Sequence, residues 1–253
     1  MKGAITKNQL VQIIIPLITV IFGLIITSSL STITGFAPLA MGQGSSSNNN
    51  NNNVRVFPID SKPYGISYAE WTVKWWQWAE SIPTPLNPAS DPTGKNCAQK
   101  QNGSVWFLAG TFGGKAERTC TIPAGKAILF PPINTECSYA EYPQYKTESE
   151  LRSCAKHLQD ETTQVQATVD GMKIQNLDKY RIQTPIFNLT YPTDNAAGAP
   201  AGTSQAVADG NWVFLQPLSP GKHELHFTGV SVDFTSTGTN TFASEAIYHL
   251  TVQ

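Results

Sequence analysis

The chain has 253 residues, 14 % of them charged, and its 17 basic and 18 acidic side chains leave a formal charge of −1. No stretch concentrates Lys and Arg, which excludes the counterion release that drives nucleic-acid binding and any polybasic contact with a membrane surface. With 19 Gly and 17 Pro set among aromatic and β-branched runs, the composition predicts a turn-rich, mainly β chain.

Lys2 and Lys7 precede an apolar run from Leu10 to Leu30. A basic start followed by an apolar core is the pattern of an export signal, and the run is long enough to span a bilayer as a helix. Ala40-Met41-Gly42 fits a small-x-small cleavage site. Without cleavage the helix stays as an anchor with its lysines inside. Either way, residues from Gln43 onward are expected at the cell surface or outside the cell, with membrane contact only through the N-terminal segment if it is uncleaved. Ser45 to Asn53 is a run of three Ser and six Asn that cannot bury apolar surface and reads as a tether. The expected division is therefore 1–42 signal peptide or membrane anchor, 43–56 disordered linker, and 57–253 one disulfide-stabilised domain.

The first helix starts at Ser67, where Ser67-Tyr68-Ala69-Glu70 has the spacing of a capping box, and it stops before Pro83. Trp71, Trp75 and Trp78 share one face, the expected packing stripe, while Trp76 lies off it. Val105–Leu108, the turn Gly113-Gly114 and Glu117–Ile122 read as a hairpin, and Ala127–Phe130 as the next strand. A second capping box, Thr147 to Glu150, opens a helix through Leu151, Cys154 and Leu158. Met172–Ile174 pairs back on Ala167–Val169 through an Asp170-Gly171 turn. Trp212–Leu215 and His223–Phe227 suggest another hairpin, and Ile247–Val252 a closing strand. Short strands with two helices point to an antiparallel β-sandwich, immunoglobulin-like or jelly-roll-like, with the helices packed on it.

Four cysteines, Cys97, Cys120, Cys137 and Cys154, all follow the leader, and an even count in an exported chain implies two disulfides. The pairing Cys97–Cys120 closes the supposed hairpin, and Cys137–Cys154 pins the second helix to the sheet. No Cys-x-x-Cys pair supports zinc. Asn102-Gly103-Ser104 and Asn188-Leu189-Thr190 are glycosylation acceptor sequences.

The segments WTVKWWQWAESIP (Trp71–Pro83), VWFLAGTFGG (Val105–Gly114), CTIPAGKAILFPPIN (Cys120–Asn134) and SPGKHELHF (Ser219–Phe227) together resemble a family of exported prokaryotic proteins. That resemblance covers most of the chain after the tether and implies no reaction, ligand or catalytic residue. The Pro-Gly-Lys-His segment also resembles closing strands of immunoglobulin-like modules, which bears on fold alone.

Candidate ligand-binding residues are Trp76, whose position does not demand burial, and Glu136 and Glu141, which flank Cys137 in a Tyr-rich loop. His223 and His226 fall on opposite faces of a strand and do not form one metal site. There is no Gly-x-Ser-x-Gly elbow, and Gly110–Gly114 lacks the end of a phosphate loop. No cofactor, metal or catalytic residue is expected. The leading reading is a non-enzymatic module for a glycan, an envelope component or a protein. The alternatives are an extracellular hydrolase using carboxylates in Glu136–Glu150 and a structural subunit of a coat or filament.

Overall fold

In a computed structural model, residues 54–235 and 238–253 are described. The expectations for the leader and for the tether up to Asn53 lie outside the described residues. Among those described, no helix is long and apolar enough to cross a membrane. The ordered chain starts before residue 57: Val56 bridges to Leu215, and the Arg55 carbonyl accepts the Gln216 N–H at 2.8 Å.

Both capping boxes form. In α1 (Tyr68–Glu80), Ser67 Oγ accepts the Glu70 N–H at 3.2 Å and the Glu70 carboxylate accepts the Ser67 N–H at 2.8 Å. In α2 (Glu148–Asp160), Thr147 and Glu150 repeat the exchange at 3.3 and 2.8 Å. Each pair satisfies two backbone donors that the first turn would otherwise leave open.

Ten strands follow: β1 (Val105–Phe107), β2 (Gly114–Ile122), β3 (Ala127–Ser138), β4 (Thr162–Val169), β5 (Met172–Lys173), β6 (Arg181–Gln183), β7 (Phe187–Tyr191), β8 (Gly202–Leu215), β9 (Gly221–Thr235) and β10 (Gly238–Val252). They make two five-stranded sheets: β1-β3-β8-β6, with β7 also on β8, and β2-β10-β9-β4-β5. Both are mixed, because β1 runs parallel to β3 and β2 parallel to β10. The fold is a β-sandwich with two helices. The Asp170-Gly171 turn is as expected, both residues at positive φ (52° and 75°) between β4 and β5.

Two expected hairpins do not exist. β1 lies in the first sheet and β2 in the second, and β8 and β9 are divided in the same way. Each connection crosses between layers. The physical reason lies in burial: β3 and β8 are covered on both faces, so Ala127–Phe130 and Trp212–Leu215 are continuous apolar runs, whereas β2 alternates buried and exposed. Such unlike strands belong to different layers.

Trp212 and Phe214 join α1 in one core, while Val213 and Leu215 join Leu225, Phe227, Tyr248 and Leu250 of the second sheet in another. Further along the first sheet the second sheet gives way to α2, whose Leu151, Cys154 and Ala155 pack on Cys137 and Val207. Trp71, the outermost of the expected stripe, is only partly buried, while Trp75, Trp78 and also Trp76 are buried. Where the sheets close on each other, a Cβ at Gly229 would stand 2.4 Å from Ile133 Cβ, so this crossing admits only glycine.

The disulfides are Cys97–Cys120 and Cys137–Cys154, with Cα separations of 6.0 and 6.2 Å. The first does not close a hairpin. It ties the irregular segment after α1 to the edge strand β2, next to the Thr119 N–H bonded to the Thr93 carbonyl at 3.0 Å. Beside it Arg118, 1 % exposed, donates to the carbonyls of Asp91 (2.7 Å), Ala109 (2.6 Å), Gly110 (3.0 Å) and Ala89 (3.3 Å) and to Tyr248 Oη (2.6 Å). The Ala109 carbonyl also accepts the Tyr248 hydroxyl at 2.7 Å, so replacing Arg118 by Met takes this donor chiefly from the carbonyls of Ala89, Asp91 and Gly110, and is expected to lower the unfolding free energy by about 3 kcal/mol, read from urea denaturation with both disulfides intact.

Candidate functional site

Helix α1 and the first sheet enclose two of the buried carboxylates, Glu80 and Glu136. Glu136 on β3 stands opposite Ala208 of β8, and Asn134 and Ser138 stand opposite Gly210 and Ala206. Ala206 and Ala208 belong to the core under α1, so this row of β3 faces the helix. The small residues beneath leave width for the polar side chains above. From the helix comes Glu80, one turn after Trp76 and 5 % exposed. From β7 comes Tyr191, 2 % exposed.

The loop after β3 completes the group. Tyr142 N–H donates to the Ser138 carbonyl at 2.9 Å, making a single turn, and Glu141 N–H donates to Ser138 Oγ at 3.2 Å. Tyr191 Oη lies 2.9 Å from Ser138 Oγ and 3.3 Å from Glu141 Oε2, and Ser138 Oγ reaches the same carboxylate oxygen at 3.3 Å. Burial raises the Tyr191 pKa, and the charges of Glu136, Glu141 and Glu80 push it further the same way, against the hydrogen bond to Ser138. Three carboxylates from three elements therefore bear on one phenol.

Sequence reasoning named Glu136 and Glu141, whose charges both act on Tyr191. It missed Glu80, whose only signal was its i, i+4 relation to Trp76. Trp76 lies on this face of the sheet too, but at 8 % exposure it is a core residue stacked edge-on against Trp75 at 5.2 Å rather than an open platform. Among the described residues, the indole N–H groups of Trp76 and Trp212 and the amide nitrogen of Asn134 are buried without an acceptor. Glu148 and Glu150 play no part: Glu148 pairs with Arg152 and Glu150 caps α2. Directly after Glu141 in the same loop, Tyr142 and Tyr145 stack at 5.7 Å and 22°, both partly exposed and packed on the core under α2.

The histidines stand apart. His226 meets Glu245 at 3.1 Å and His249 meets Glu117 at 2.7 Å, while His223 lies between Asp170 and the Ser219 carbonyl, 2.8 Å from each. No three His, Cys, Asp or Glu side chains among the described residues are grouped to hold a metal. Asn102, just before the turn Gly103-Ser104, and Asn188, on β7, are both exposed. Two depressions of about 260 and 360 Å³ lie away from the carboxylates, the larger lined by Gln159, Gln164, Arg181 and Asn211 among others.

Burial alone would lower the His223 pKa, but the hydrogen bonds to Asp170 and Ser219, with the Asp170 charge, raise it above the usual value. A raised folded-state value stabilises the fold below the unfolded value, and that contribution is lost as pH rises through the folded one. Asp170→Asn, which keeps the turn geometry, is expected to bring the His223 pKa down and to flatten this part of the stability–pH curve, as followed by imidazole NMR and thermal midpoints.

No family model matches the chain, and no curated protein matches it. A solved chain from the structure described as "Structure of PbICP-C in complex with falcipain-2" is similar at 12 % identity over 60 % of this chain and 100 % of that one, with a TM-score of 0.21. A likeness at that level carries no argument about fold or function.

Proposed function

We propose that this chain is an exported, non-enzymatic binding module for a polyhydroxylated ligand, a glycan of the cell envelope, held at the rim formed by Glu141 and the Tyr142–Tyr145 pair. The observation that carries the reading is the hydrogen-bonded cluster of Glu141, Ser138 and Tyr191, whose loop also carries two stacked, partly exposed tyrosines. Aromatic faces accept the apolar side of a sugar ring, and carboxylate and hydroxyl oxygens accept its hydroxyl protons. Glu141 is the partly exposed member. Ser138 and Tyr191 fix its orientation from behind, which reduces the ordering cost on binding. Export rests on the basic and apolar start of the chain and agrees with two disulfides, which persist in oxidising compartments.

The same carboxylates favour a second reading, a hydrolase, with its window shifted from Glu136–Glu150 to Glu80, Glu136 and Glu141. Against it stands the depth of Glu80 and Glu136, 5 % and 9 % exposed, since paired carboxylates act on a bond placed between them.

Binding of envelope glycans to the purified full-length chain separates the two. Glu141→Gln and Tyr145→Ala are each expected to weaken binding at least about tenfold with an unchanged thermal midpoint. Reducing-end release that disappears in Glu136→Gln would establish the hydrolase instead, and an absence of glycan binding by the parent chain would overturn the proposal.

A further inference from the structure

The β9–β10 ribbon outgrows its sheet. β10 pairs with β2 only from Ser244 onward, where Ser244 stands opposite Gly114, yet its pairing with β9 continues back to Thr239 and beyond. Along Thr239–Ala243 one edge of β10 therefore has no neighbouring strand among the described residues, and all five side chains are exposed. On the other side β9 still borders β4 at Ser231, opposite Phe242, so only the tip beyond Val232 and Thr241 is two-stranded, and such a ribbon is marginal by itself in water.

Exposed edges are normally blunted by charge, proline or a bulge. The opposite edge of this ribbon follows that rule. There, Val232 N–H is held by the Glu161 carbonyl at 2.9 Å, and the Asp233 charge adds to burial in raising the Glu161 pKa, so two carboxylates stand close together on that side. The β10 edge, Thr-Asn-Thr-Phe-Ala, carries no charge and no proline. At its inner end sit two of the largest exposed apolar side chains, Phe112 at 55 % and Phe242 at 39 %. Phe242 lies against Gly113, the residue after Phe112: a Cβ there would lie 3.8 Å from Phe242 Cε2.

We infer that this edge is a homodimer interface, in which Thr239–Ala243 of two copies pair antiparallel about a two-fold axis at Thr241. The register follows from the start of β2. A partner strand cannot run past Ala243 without meeting it, and the antiparallel overlap that uses all five free residues of both copies is centred on Thr241. It sets Thr241 against Thr241 of the partner subunit, Phe242 against Asn240 of the partner subunit and Thr239 against Ala243 of the partner subunit. No like charges face each other, and a Thr–Thr pair is favourable across strands. The tip of each ribbon then arrives where Phe112 is exposed on the other copy. A second copy fits better than an unrelated strand because the pattern is complementary to itself, as a two-fold contact requires.

The test is sedimentation of the full chain over a concentration series, with cysteine cross-linking to read the register. Dimer formation is expected, and Thr241→Lys, which places two ammonium groups face to face, is expected to raise the dissociation constant at least about tenfold with the β spectrum unchanged. Thr241→Cys is expected to cross-link between copies under mild oxidation. Thr239→Cys is not, because that residue and its symmetry mate sit four positions apart, roughly 13 Å along the strand. A wild-type chain that stays monomeric throughout, a dimer indifferent to Thr241→Lys, or cross-linking by Thr239→Cys in preference to Thr241→Cys would each overturn the inference.

Discussion

A buried guanidinium bonded to backbone carbonyls, with no carboxylate in contact among the described residues, pins the irregular stretch after α1 to the second sheet. Arg118 projects from β2 and is covered almost completely, yet its bonds go to four backbone carbonyls and one phenol, with the Tyr248 ring 5.3 Å beneath its carbon. Arginine suits this place because it cannot lose its proton and because its planar fork has five donors to distribute. The carbonyls belong to residues 89–91 and 109–110, which lie on either side of β1. That single side chain therefore fastens the long irregular stretch after α1 to the second sheet. Asp91 works from within the same stretch. Burial would raise its pKa, but N–H groups of Asn96 and Thr93, the Thr93 hydroxyl and the Arg118 charge together hold it below the usual carboxylate value. Asn87 donates to the carbonyls of Ala79 and Ile82 at the end of α1. With Cys97–Cys120 beside them, these contacts order a connection that has no regular structure beyond one short turn at Thr84–Leu86.

With that connection fixed, α1 can lie on the outer face of the first sheet and bury its indoles. Trp75 donates its N–H to the Leu108 carbonyl at 2.9 Å and Trp78 donates to the Gln99 carbonyl at 2.8 Å. Both acceptors lie in or beside the segment that Arg118 secures. The helix, the loop and the edge strand are thus one interdependent unit: loosening the guanidinium exposes carbonyls and at the same time removes the acceptors that place two tryptophans.

Local chemistry was legible in the sequence, and long-range pairing was not. Ser67 with Glu70, Thr147 with Glu150, and Asp170 with Gly171 act within a few residues, so their spacing alone defines them. The strands Val105–Leu108 and Trp212–Leu215 were assigned to hairpins because neighbours in sequence usually pair. Their unbroken apolar character was the contrary signal, since a strand on the surface of a sandwich alternates while one between a helix and a second sheet does not. The candidate site divides the same way. Glu136 and Glu141 stood out because acids close to a cysteine in a Tyr-rich loop have no obvious helical role, whereas Glu80 looked like an ordinary residue near the end of a helix. Only the register of β3 on β8 turns Glu136 toward the helix that carries Glu80. The first half of β10 escaped notice because Thr239–Ala243 has no buried face to impose a period.

The ligand rim and the free ribbon edge belong to different sheets. Glu141 and the stacked tyrosines follow β3, and Thr239–Ala243 extends β10, so occupation of one does not require residues of the other. A paired molecule would therefore present two rims at a fixed separation. For a polymeric ligand with repeating units, the second contact becomes intramolecular, and weak single sites then suffice for firm retention. A rim with two tyrosines and one accessible carboxylate is a modest binding surface taken singly. In the proposed dimer, repetition would supply what its size does not.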